Sequence, residues 1–526
     1  MTAPYLLPHL IDHSASREPG REALRCGFDA LDYATLAGQM RALADGLLGL
    51  DLGRRERVAV FMDKRVEAVV ACFGALAAGG VMVPINPLLR APQVGHILRD
   101  CNVRVLITTR ARLAALADEL PQCHDLHHVV QIDGRPDAIE GITTHSWFEL
   151  QHAPRRSPPR LIDADLAAIL YTSGSTGRPR GVMLTHRNML CGAHSVAQYL
   201  ENTAEDSLLA VLPLSFDAGF SQLTTAFLVG ARVVLLNYLL PRDVITLLEG
   251  DTITGITAVP PIWMQLAHLD WSARAKAHLR YIASTGGKMP RELVSALQSR
   301  LPKTRITLMY GLTEAFRSTW LPPEELATRP DSIGRAIPNT EILVLREDGT
   351  PCGVNEPGEL VHRGAQVALG YWNDPQKTAE RFRPLPRAAG EVRDEIAVFS
   401  GDTVRRDEDG FLYFIGRRDE MIKTSGYRVS PTEVEEVLYA APAVMEAAVF
   451  GVPHPSLGEA IVGVVAAKAG AVIDEHALLR ATREALPGFM VPLRLIELAA
   501  PLPRNANGKL DRLLLAQEYR HLFQSA

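Results

Sequence analysis

The stretch YTSGSTGRPRGVMLTH, from Tyr171 to His186, decides how this chain is interpreted. It contains three glycines, no acidic residue, and hydroxyl side chains crowded into its first half. Strand-like apolar runs flank it, Leu166–Thr172 before and Val182–Leu184 after. Glycines let a ligand approach the backbone, and backbone N–H groups, hydroxyls and arginines together form an anion site. The loop therefore suits a polyphosphate, and the alternative is a flexible Gly/Ser surface turn.

Two common phosphate-binding motifs do not fit this loop. A Walker A loop, G-x-x-x-x-G-K-[ST], fails because Pro179 stands where the second glycine should follow Gly174. The G-x-G-x-x-G pattern also cannot be placed on it. A P-loop ATPase or kinase is therefore not favoured.

Length, charge and cysteine use limit the class of protein. The chain has 526 residues, which is enough for about two to four domains of ordinary size. Its net charge of −5 gives no basic footprint for nucleic acid. Six scattered cysteines without a C-x-x-C pair fit a reducing compartment better than disulfides or a zinc site. The first residues, MTAPYLLPHLIDH, lack the regions of a signal peptide, so we expect a cytoplasmic protein.

One uncharged segment is nearly long enough to span a membrane. Ala68–Ile85 reads AVVACFGALAAGGVMVPI, and Gly79, Gly80 and Pro84 interrupt it. Alanine and glycine drive membrane insertion weakly. We therefore expect a buried helix that passes through a glycine turn into a short strand, and no membrane span.

The order of patterns predicts the fold class. Strand-like and helical runs alternate up to about Trp320, which is typical of parallel sheets covered by helices. Short strands between turns follow from about Pro330, and a helix–strand pattern follows Arg417. We expect an α/β fold with a large N-terminal domain, residues 1–416, of doubly wound parallel sheets with a β-rich, barrel-like part at 330–416. A mobile small α+β domain, residues 417–526, would follow it.

The opening loop resembles the signature of the AMP-forming adenylating superfamily, which includes acyl-CoA synthetases, luciferases and nonribosomal-peptide adenylation domains. Four more stretches resemble that family's motifs, in its order. They are LAAGGVMVPINP (Leu76–Pro87), MYGLTE (Met309–Glu314), the junction stretch Ser400–Glu435, and NANGKLDR (Asn505–Arg512). Five motifs in order are far more specific than one.

The resemblance implies a two-step reaction. A carboxylate attacks the α-phosphate of ATP to give an acyl-adenylate and pyrophosphate, and a pantetheine thiol of CoA or a carrier protein then displaces AMP. The alternatives are an amino-acid adenylation enzyme that loads a stand-alone carrier protein, and a catalytically silent nucleotide-binding homologue. The silent homologue is disfavoured because Glu314, Asp402, Arg417 and Lys509 are all present.

The resemblance also assigns the nucleotide site. Glu314 would hold Mg²⁺, Thr313 would touch the α-phosphate, Asp402 would accept the ribose hydroxyls and Arg417 would reach ribose or phosphate. From residue type alone, Glu314 and Asp402 are ordinary turn acids and Arg417 is a solvated charge. The phosphate loop and the adenine-facing residues complete the set: Thr172, Ser173, Gly174, Ser175, Thr176, Gly177, Gly286, Gly287, Tyr310 and Gly311.

Lys509 would bridge the attacking carboxylate and the α-phosphate, although lysine after Asn-Gly is usually a solvated turn residue. Because it lies far beyond Arg417 in sequence, the small domain must swing in for the first step and away for the second. Asp419 matches the family's hinge position, and Lys423 and Gly426 belong to the face presented for thiol transfer. Arg180 stands where many relatives carry lysine.

The acid pocket is less defined. Phe216-Asp217 resembles amino-acid-activating domains, in which the aspartate binds the substrate ammonium, but Asp217 also precedes a helical pattern as an N-cap would. The remaining lining is small or polar, apart from pliable Met309 and charged Arg317. The expected lining is Phe216, Asp217, Ser221, Ala258, Ala283, Thr285, Met309, Arg317 and Ser318.

Arg317 needs an anionic partner in such a pocket. That partner is either a second carboxylate of the substrate or a protein acid such as Asp217, and Lys288 is either a similar carboxylate binder or solvated. The candidate substrates are thus carboxylic acids, among them amino acids and dicarboxylic acids. Two runs, TAVPPIWMQLA and STGGKMPRELV, also resemble ligases encoded with bacterial exosortase systems.

Overall fold

The protein is described by a computed structural model over residues 3–173, 179–385, 394–417, 420–424, 427–505 and 509–523. Up to residue 173 the elements are α1 (Pro8–Arg17), β1 (Glu22–Cys26), β2 (Asp29–Asp32), α2 (Tyr33–Gly49), β3 (Arg57–Phe61), α3 (Val66–Ala77), β4 (Val81–Pro84), α4 (Ala91–Asp100), β5 (Val103–Thr108), α5 (Arg110–Ala115), β6 (His128–Gln131), β7 (Thr143–Ser146), α6 (Trp147–Gln151) and β8 (Leu166–Ser173).

The next segment builds the rest of the parallel region. Its elements are β9 (Pro179–Thr185), α7 (His186–Tyr199), β10 (Ser207–Ala210), α8 (Asp217–Val229), β11 (Arg232–Leu235), α9 (Pro241–Gly250), β12 (Gly255–Ala258), α10 (Pro260–Ala267), α11 (Ala273–Lys276), β13 (Tyr281–Ser284), α12 (Arg291–Arg300), β14 (Arg305–Tyr310) and β15 (Thr319–Leu321).

The last segment begins with antiparallel strands and ends in a helix. Its elements are β16 (Ser332–Ala336), β17 (Thr340–Leu345), β18 (Gly358–Gly364), α13 (Pro375–Arg381), β19 (Phe382–Pro384), β20 (Ile396–Arg406), β21 (Leu412–Arg417), β22 (Ile422–Thr424), β23 (Tyr427–Val429), α14 (Pro431–Tyr439), β24 (Val444–His454), β25 (Gly458–Ala467), α15 (Glu475–Ala485), β26 (Arg494–Leu498) and α16 (Arg512–Glu518).

The larger sheet places the site. Its central strands run parallel in the order β14-β13-β12-β10-β11-β1. The strand order reverses at β10: β11 pairs with β10 on one side, and the next strand, β12, pairs with β10 on the other side. In open α/β sheets, ligands bind outside the carboxyl ends of the strands at such a switch point. A ligand site is therefore expected at the loops that follow β10, β12, β13 and β14.

A second parallel sheet has the order β7-β6-β5-β3-β4-β8-β9, and only its last pair, β8 and β9, is antiparallel. Helices α3 and α8 lie between the two sheets, where Phe73 stacks on Phe220 with ring centroids 5.7 Å apart. The uncharged segment Ala68–Ile85 forms most of the buried helix α3, then a turn at Gly79 with φ +84°, and then β4. No described helix is long and apolar enough to cross a membrane.

The α/β class and the large and small bodies agree with the prediction. The β-rich part, β16 to β21, is antiparallel and continues the larger sheet, and its closure into a barrel stays a prediction. Strands β22 to β26 form a separate five-stranded sheet, with two apolar clusters drawn only from residues after 420. The domain boundary at 416/417 also stays a prediction.

Candidate active site

The tip of the C-terminal tail reaches the carboxyl ends of the larger sheet. Gly286 follows β13 with φ +81°, a conformation that favours glycine. A Cβ placed on Gly286 would lie 3.6 Å from Cε of Lys509 and 3.7 Å from Cζ of Phe216. The space above this glycine is therefore bounded by Lys509 on one side and by the loop after β10 on the other.

A closed turn presents Lys509. The amide of Asn505 donates to the carbonyl of Lys509 at 2.8 Å, and the Lys509 amide donates to Oδ1 of Asn505 at 3.1 Å. Lys509 as a whole residue is exposed, whereas its side-chain end enters the cleft, where desolvation lowers its pKa. Asp217 opposes that shift. The ammonium therefore lies close enough to the acid pocket to interact with its charge.

Tyr310, Asp402 and Arg417 lie together, because Asp402 and Arg417 are paired across β20 and β21 and Tyr310 bonds to Asp402. The Tyr310 hydroxyl donates to Oδ2 of Asp402 at 2.5 Å, and Nε of Arg417 lies 3.5 Å from Oδ1. Burial raises the pKa of Asp402, and Arg417 counteracts the rise. Oδ1 is buried and accepts no hydrogen bond from the described residues, so a ligand hydroxyl would satisfy it.

Glu314 is half-buried in a short 3₁₀ turn after β14 and accepts a hydrogen bond from the Tyr371 hydroxyl at 2.7 Å. The chain around Tyr371 also bonds to β9, since the Met183 amide donates to the Gly370 carbonyl at 2.9 Å. Ala368 in the same segment donates to the Glu314 carbonyl at 2.8 Å. Segment 368–372 thus ties Glu314 to the strand that leaves the phosphate loop.

Tyr371 is a site residue that sequence reasoning missed. The signal was a tyrosine in the turn-rich stretch GYWND, Gly370–Asp374, which has no helical or strand period. Burial and the nearby Glu314 raise the pKa of Tyr371, so its hydroxyl stays a donor. It fixes one oxygen of Glu314 and leaves the other for a ligand.

A buried ion pair occupies the acid pocket. Nη1 of Arg317 lies 3.5 Å from Oδ2 of Asp217, and the side chains are only 3% and 5% exposed. Arg317 also donates to the Phe316 carbonyl at 2.8 Å, while its buried Nε has no hydrogen-bond partner among the described residues. Phe316 holds φ +58°, a strained value that directs this turn.

This contact answers two open questions about the pocket. A protein acid, Asp217, lies next to Arg317, which was one of the two predicted alternatives. Asp217 is not the N-cap of α8, because Phe216 holds that position and Asp217 is the first helical residue. Its Oδ1 accepts from the adjacent Ala218 amide at 2.6 Å. Desolvation raises the pKa of Asp217, and Arg317, the Ala218 amide and Lys509 lower it.

The rest of the predicted lining is also buried. Ser221 lies one turn after Asp217 on α8, and its hydroxyl has no partner among the described residues. Ser318 Oγ lies 3.0 Å from Nδ1 of His362, whose pKa burial lowers to about 3, so this imidazole stays neutral. The Tyr199 hydroxyl donates to Sδ of Met309 at 3.0 Å. Three further predicted residues are buried at strand ends: Ala258, Ala283 and Thr285.

The remaining predicted residues lie either outside the described part of the chain or within strands and the turns that follow them. Gly174, Ser175, Thr176, Gly177, Asp419 and Gly426 lie outside the described residues. Thr172, the last but one residue of β8, is paired with Arg180 on β9, and Arg180 Nε lies 3.5 Å from Oδ2 of Asp374. Lys423 is exposed on β22. Gly287, Gly311 and Thr313 lie in the turns after β13 and β14.

Lys288 joins the two bodies of the chain. Its Nζ lies 2.6 Å from Oε2 of Glu436 on α14 and 3.8 Å from Asp331. Nε of Arg291 lies 3.6 Å from Oε1 of Glu436. Lys288 is therefore an exposed lysine whose ion pairs are with carboxylates of the protein, and it links α14 to the turn before α12.

Known proteins resemble this chain along nearly its full length. A linear gramicidin synthase from Brevibacillus parabrevis is 32% identical over 93% of this chain, which spans only 6% of that synthase. A long-chain-fatty-acid–CoA ligase from Escherichia coli O157:H7 is 30% identical over 98% of this chain and 94% of its own length.

Solved structures share the fold. The anthranilate CoA ligase AuaEII in complex with anthranoyl-AMP superposes with a TM-score of 0.88 at 25% identity, covering 99% of this chain and 98% of that one. ATP-bound MatB from Rhodopseudomonas palustris gives 0.86 at 25% identity, covering 98% and 100%. Family models for the AMP-binding enzyme and for its C-terminal domain match residues 11–372 and 433–509. The chain therefore belongs to the AMP-binding enzyme family, the AMP-forming adenylating enzymes.

Proposed function

We propose that this protein is an ATP-dependent, AMP-forming ligase that joins a carboxylic acid to a pantetheine thiol. The observation that carries the proposal is the approach of Lys509 to Gly286, Phe216 and Asp217 at the switch point of the larger sheet. An acid carboxylate placed there would meet the Lys509 ammonium. The lysine would neutralise the charge that repels the carboxylate from the α-phosphate.

The nucleotide would lie along the carboxyl ends of β13 and β14. Asp402, whose Oδ1 accepts no hydrogen bond from the described residues, fits two vicinal ribose hydroxyls, and Arg417 stands beside it to meet ribose or phosphate. Thr172 and the loop after it would take the outer phosphates, and Thr313 the α-phosphate. Glu314 fits Mg²⁺, since this hard cation binds one or two carboxylate oxygens together with phosphates, and it would neutralise phosphate charge.

The second half of the reaction needs the small domain to move. Lys509 occupies the space above Gly286 in this arrangement, and the ion pair of Lys288 with Glu436 closes the two bodies together. We propose that this is the adenylate-forming arrangement and that the pair opens to admit the thiol. Asp419 would serve as the hinge, and Lys423 and Gly426 would face the pantetheine arm.

The acid is proposed to be short and polar. A pocket that ends in the Asp217–Arg317 pair and the unpaired hydroxyl of Ser221 offers hydrogen bonds, and an aliphatic chain would leave them unmet. An ammonium on the substrate would displace Arg317 from Asp217, whereas a second carboxylate would displace Asp217 from Arg317. CoA and a carrier protein both remain candidate acceptors.

Pyrophosphate exchange into ATP tests this function across amino acids, dicarboxylic acids, hydroxy acids and fatty acids. We expect exchange to depend on the acid and to be fastest with a short polar one. Asp217→Asn should lower kcat/KM for amino acids by about 10²-fold, because it removes the charge that would bind the ammonium. Arg317→Gln should lower kcat/KM for dicarboxylic acids by about the same factor, because it removes the charge that would bind the second carboxylate. Exchange without any acid, or a best rate with a long-chain fatty acid, contradicts the proposal.

A further inference from the structure

Lys64 is a buried charged residue that the proposed reaction does not use. It lies between β3 and α3, and the residue is 8% exposed. Among the described residues no carboxylate forms an ion pair with it, and Cys26 is the one titratable group that influences it. Desolvation lowers the pKa of Lys64 to about 7. Burying an ammonium without a carboxylate is costly, so its contacts need an explanation.

The contacts of Lys64 Nζ are three successive backbone carbonyls. They belong to Ala210 at 3.1 Å, Val211 at 2.7 Å and Leu212 at 3.3 Å. These residues are the end of β10 and the start of the loop that follows it. An ammonium has three donors, so this one group satisfies the carboxyl end of the strand at the switch point.

The backbone of Lys64 is anchored as well. Its amide donates to Oδ1 of Asn237 at 2.9 Å, and Nδ2 of Asn237 donates to the Lys64 carbonyl at 2.8 Å. Asn237 follows β11, so Lys64 is fastened to the larger sheet while its chain neighbours belong to the other sheet. The ammonium therefore sits in a fixed place from which it can hold the loop.

The loop that Lys64 holds leads directly to the acid pocket. A Cβ on Gly219, in the first turn of α8, would lie 1.9 Å from the Pro213 carbonyl, so the loop is pressed onto this helix. The Phe216 amide donates to the Pro213 carbonyl at 3.1 Å. Movement of the carbonyls at 210–212 would thus move Phe216 and Asp217 relative to Gly286.

We propose that Lys64 is a positioning residue for acid recognition: by holding the carbonyls of Ala210, Val211 and Leu212 it sets where Phe216 and Asp217 stand. The inference rests on the proposed function, because its measured effect is on the acid that is activated. It predicts an effect on the KM of the acid and none on the KM of ATP, since among the described residues no hydrogen bond joins Tyr310, Asp402 or Glu314 to this loop.

Lys64→Met tests the inference, because it keeps an unbranched apolar stem and removes the ammonium with its donors. Pyrophosphate exchange with two accepted acids of different size gives KM for each acid and for ATP. We expect the KM of the better acid to rise about tenfold, as for loss of one charged hydrogen bond, with the KM of ATP changed by less than about twofold. The ratio of kcat/KM between the two acids should shift by about threefold or more.

Lys64→Gln keeps two N–H donors and should give an intermediate rise in the KM of the acid. If Lys64→Met does not fold, Lys64→Gln decides whether Lys64 positions the acid-binding residues. Lys303→Met, an exposed lysine after α12, is the matched control and should behave as wild type. Equal rises in both KM values, or a lower kcat with an unchanged acid ratio, would show a merely structural role. Absence of acid-dependent exchange in the wild type would instead refute the proposed function itself.

Discussion

Two groups of side chains meet at the carboxyl ends of the larger sheet and differ in which protein groups hold their carboxylates. The nucleotide group, Tyr310, Asp402, Glu314 and Tyr371, is linked by hydrogen bonds of 2.5 and 2.7 Å. In the acid group, Arg317 lies 3.5 Å from Asp217, and Arg417 lies at the same distance from Asp402 in the nucleotide group. Each group also keeps one buried polar atom without a hydrogen bond among the described residues, Nε of Arg317 and Oδ1 of Asp402. The difference is that a tyrosine hydroxyl holds each carboxylate of the nucleotide group, whereas Asp217 accepts a hydrogen bond from the adjacent Ala218 amide.

Lys509→Ala should give the largest effect, because Lys509 reaches both groups. We expect the first half-reaction to fall by about 10²–10³-fold, the usual loss for one contact to a developing oxyanion. Thioester formation from supplied adenylate should be largely spared. Pyrophosphate exchange and a single-turnover thioester assay measure the two steps, with Lys303→Ala as the charge control. Equal losses in both steps would contradict a role confined to adenylation.

Asp402→Asn should separate the nucleotide group from the acid group. The amide keeps an acceptor for the Tyr310 hydroxyl but loses the charge that would bind ribose hydroxyls and pair with Arg417. We expect the KM of ATP to rise about tenfold, as for loss of a charged hydrogen bond, and the KM of the acid to stay the same. An equal rise in both would mean that Asp402 supports the whole cleft and is not specific to the nucleotide.

The same division separates what the sequence predicts from what it does not. Tyr310, Glu314 and Asp402 lie in local motifs, so the resemblance to the family's motifs identified them as candidates, although residue type alone indicated ordinary turn residues for Glu314 and Asp402. The pairing of Arg417 with Asp402 also follows from one hairpin of neighbouring strands. The contact of Arg317 with Asp217 joins residues 100 positions apart, and sequence alone could only offer it as an alternative.

Other features depend on tertiary contacts that no local pattern contains. Phe216 takes the N-cap position although Asp217 is the better capping residue, because burial of Asp217 beside Arg317 decides the start of α8. Lys64 looks like a surface lysine in the sequence, and it is buried because the carbonyls of β10 lie opposite it. The parallel sheets covered by helices were predictable, because strand-like and helical runs alternate along the sequence.

The smallest effect is expected outside both groups, at the ion pair between Lys288 and Glu436. Each side chain is 31% exposed, and such surface pairs contribute about 0.2–1 kcal/mol. Glu436→Gln should therefore slow the first half-reaction by no more than about fivefold and leave thioester formation from supplied adenylate unchanged or faster. Added salt should slow the first step of the wild type more than that of the variant, because it screens the pair.

Glu497→Gln, an exposed glutamate on β26, is the matched control for this variant. The KM of ATP and the KM of the acid distinguish this ion pair from the groups in the cleft. Both should stay near the wild-type values in Glu436→Gln, because neither ATP nor the acid would contact the pair. A slower second step in Glu436→Gln would mean that the pair also forms in the thiol-transfer arrangement. The contact of α14 with the start of α12 would then not distinguish the two arrangements, and closure would have to depend on Lys509 reaching the space above Gly286.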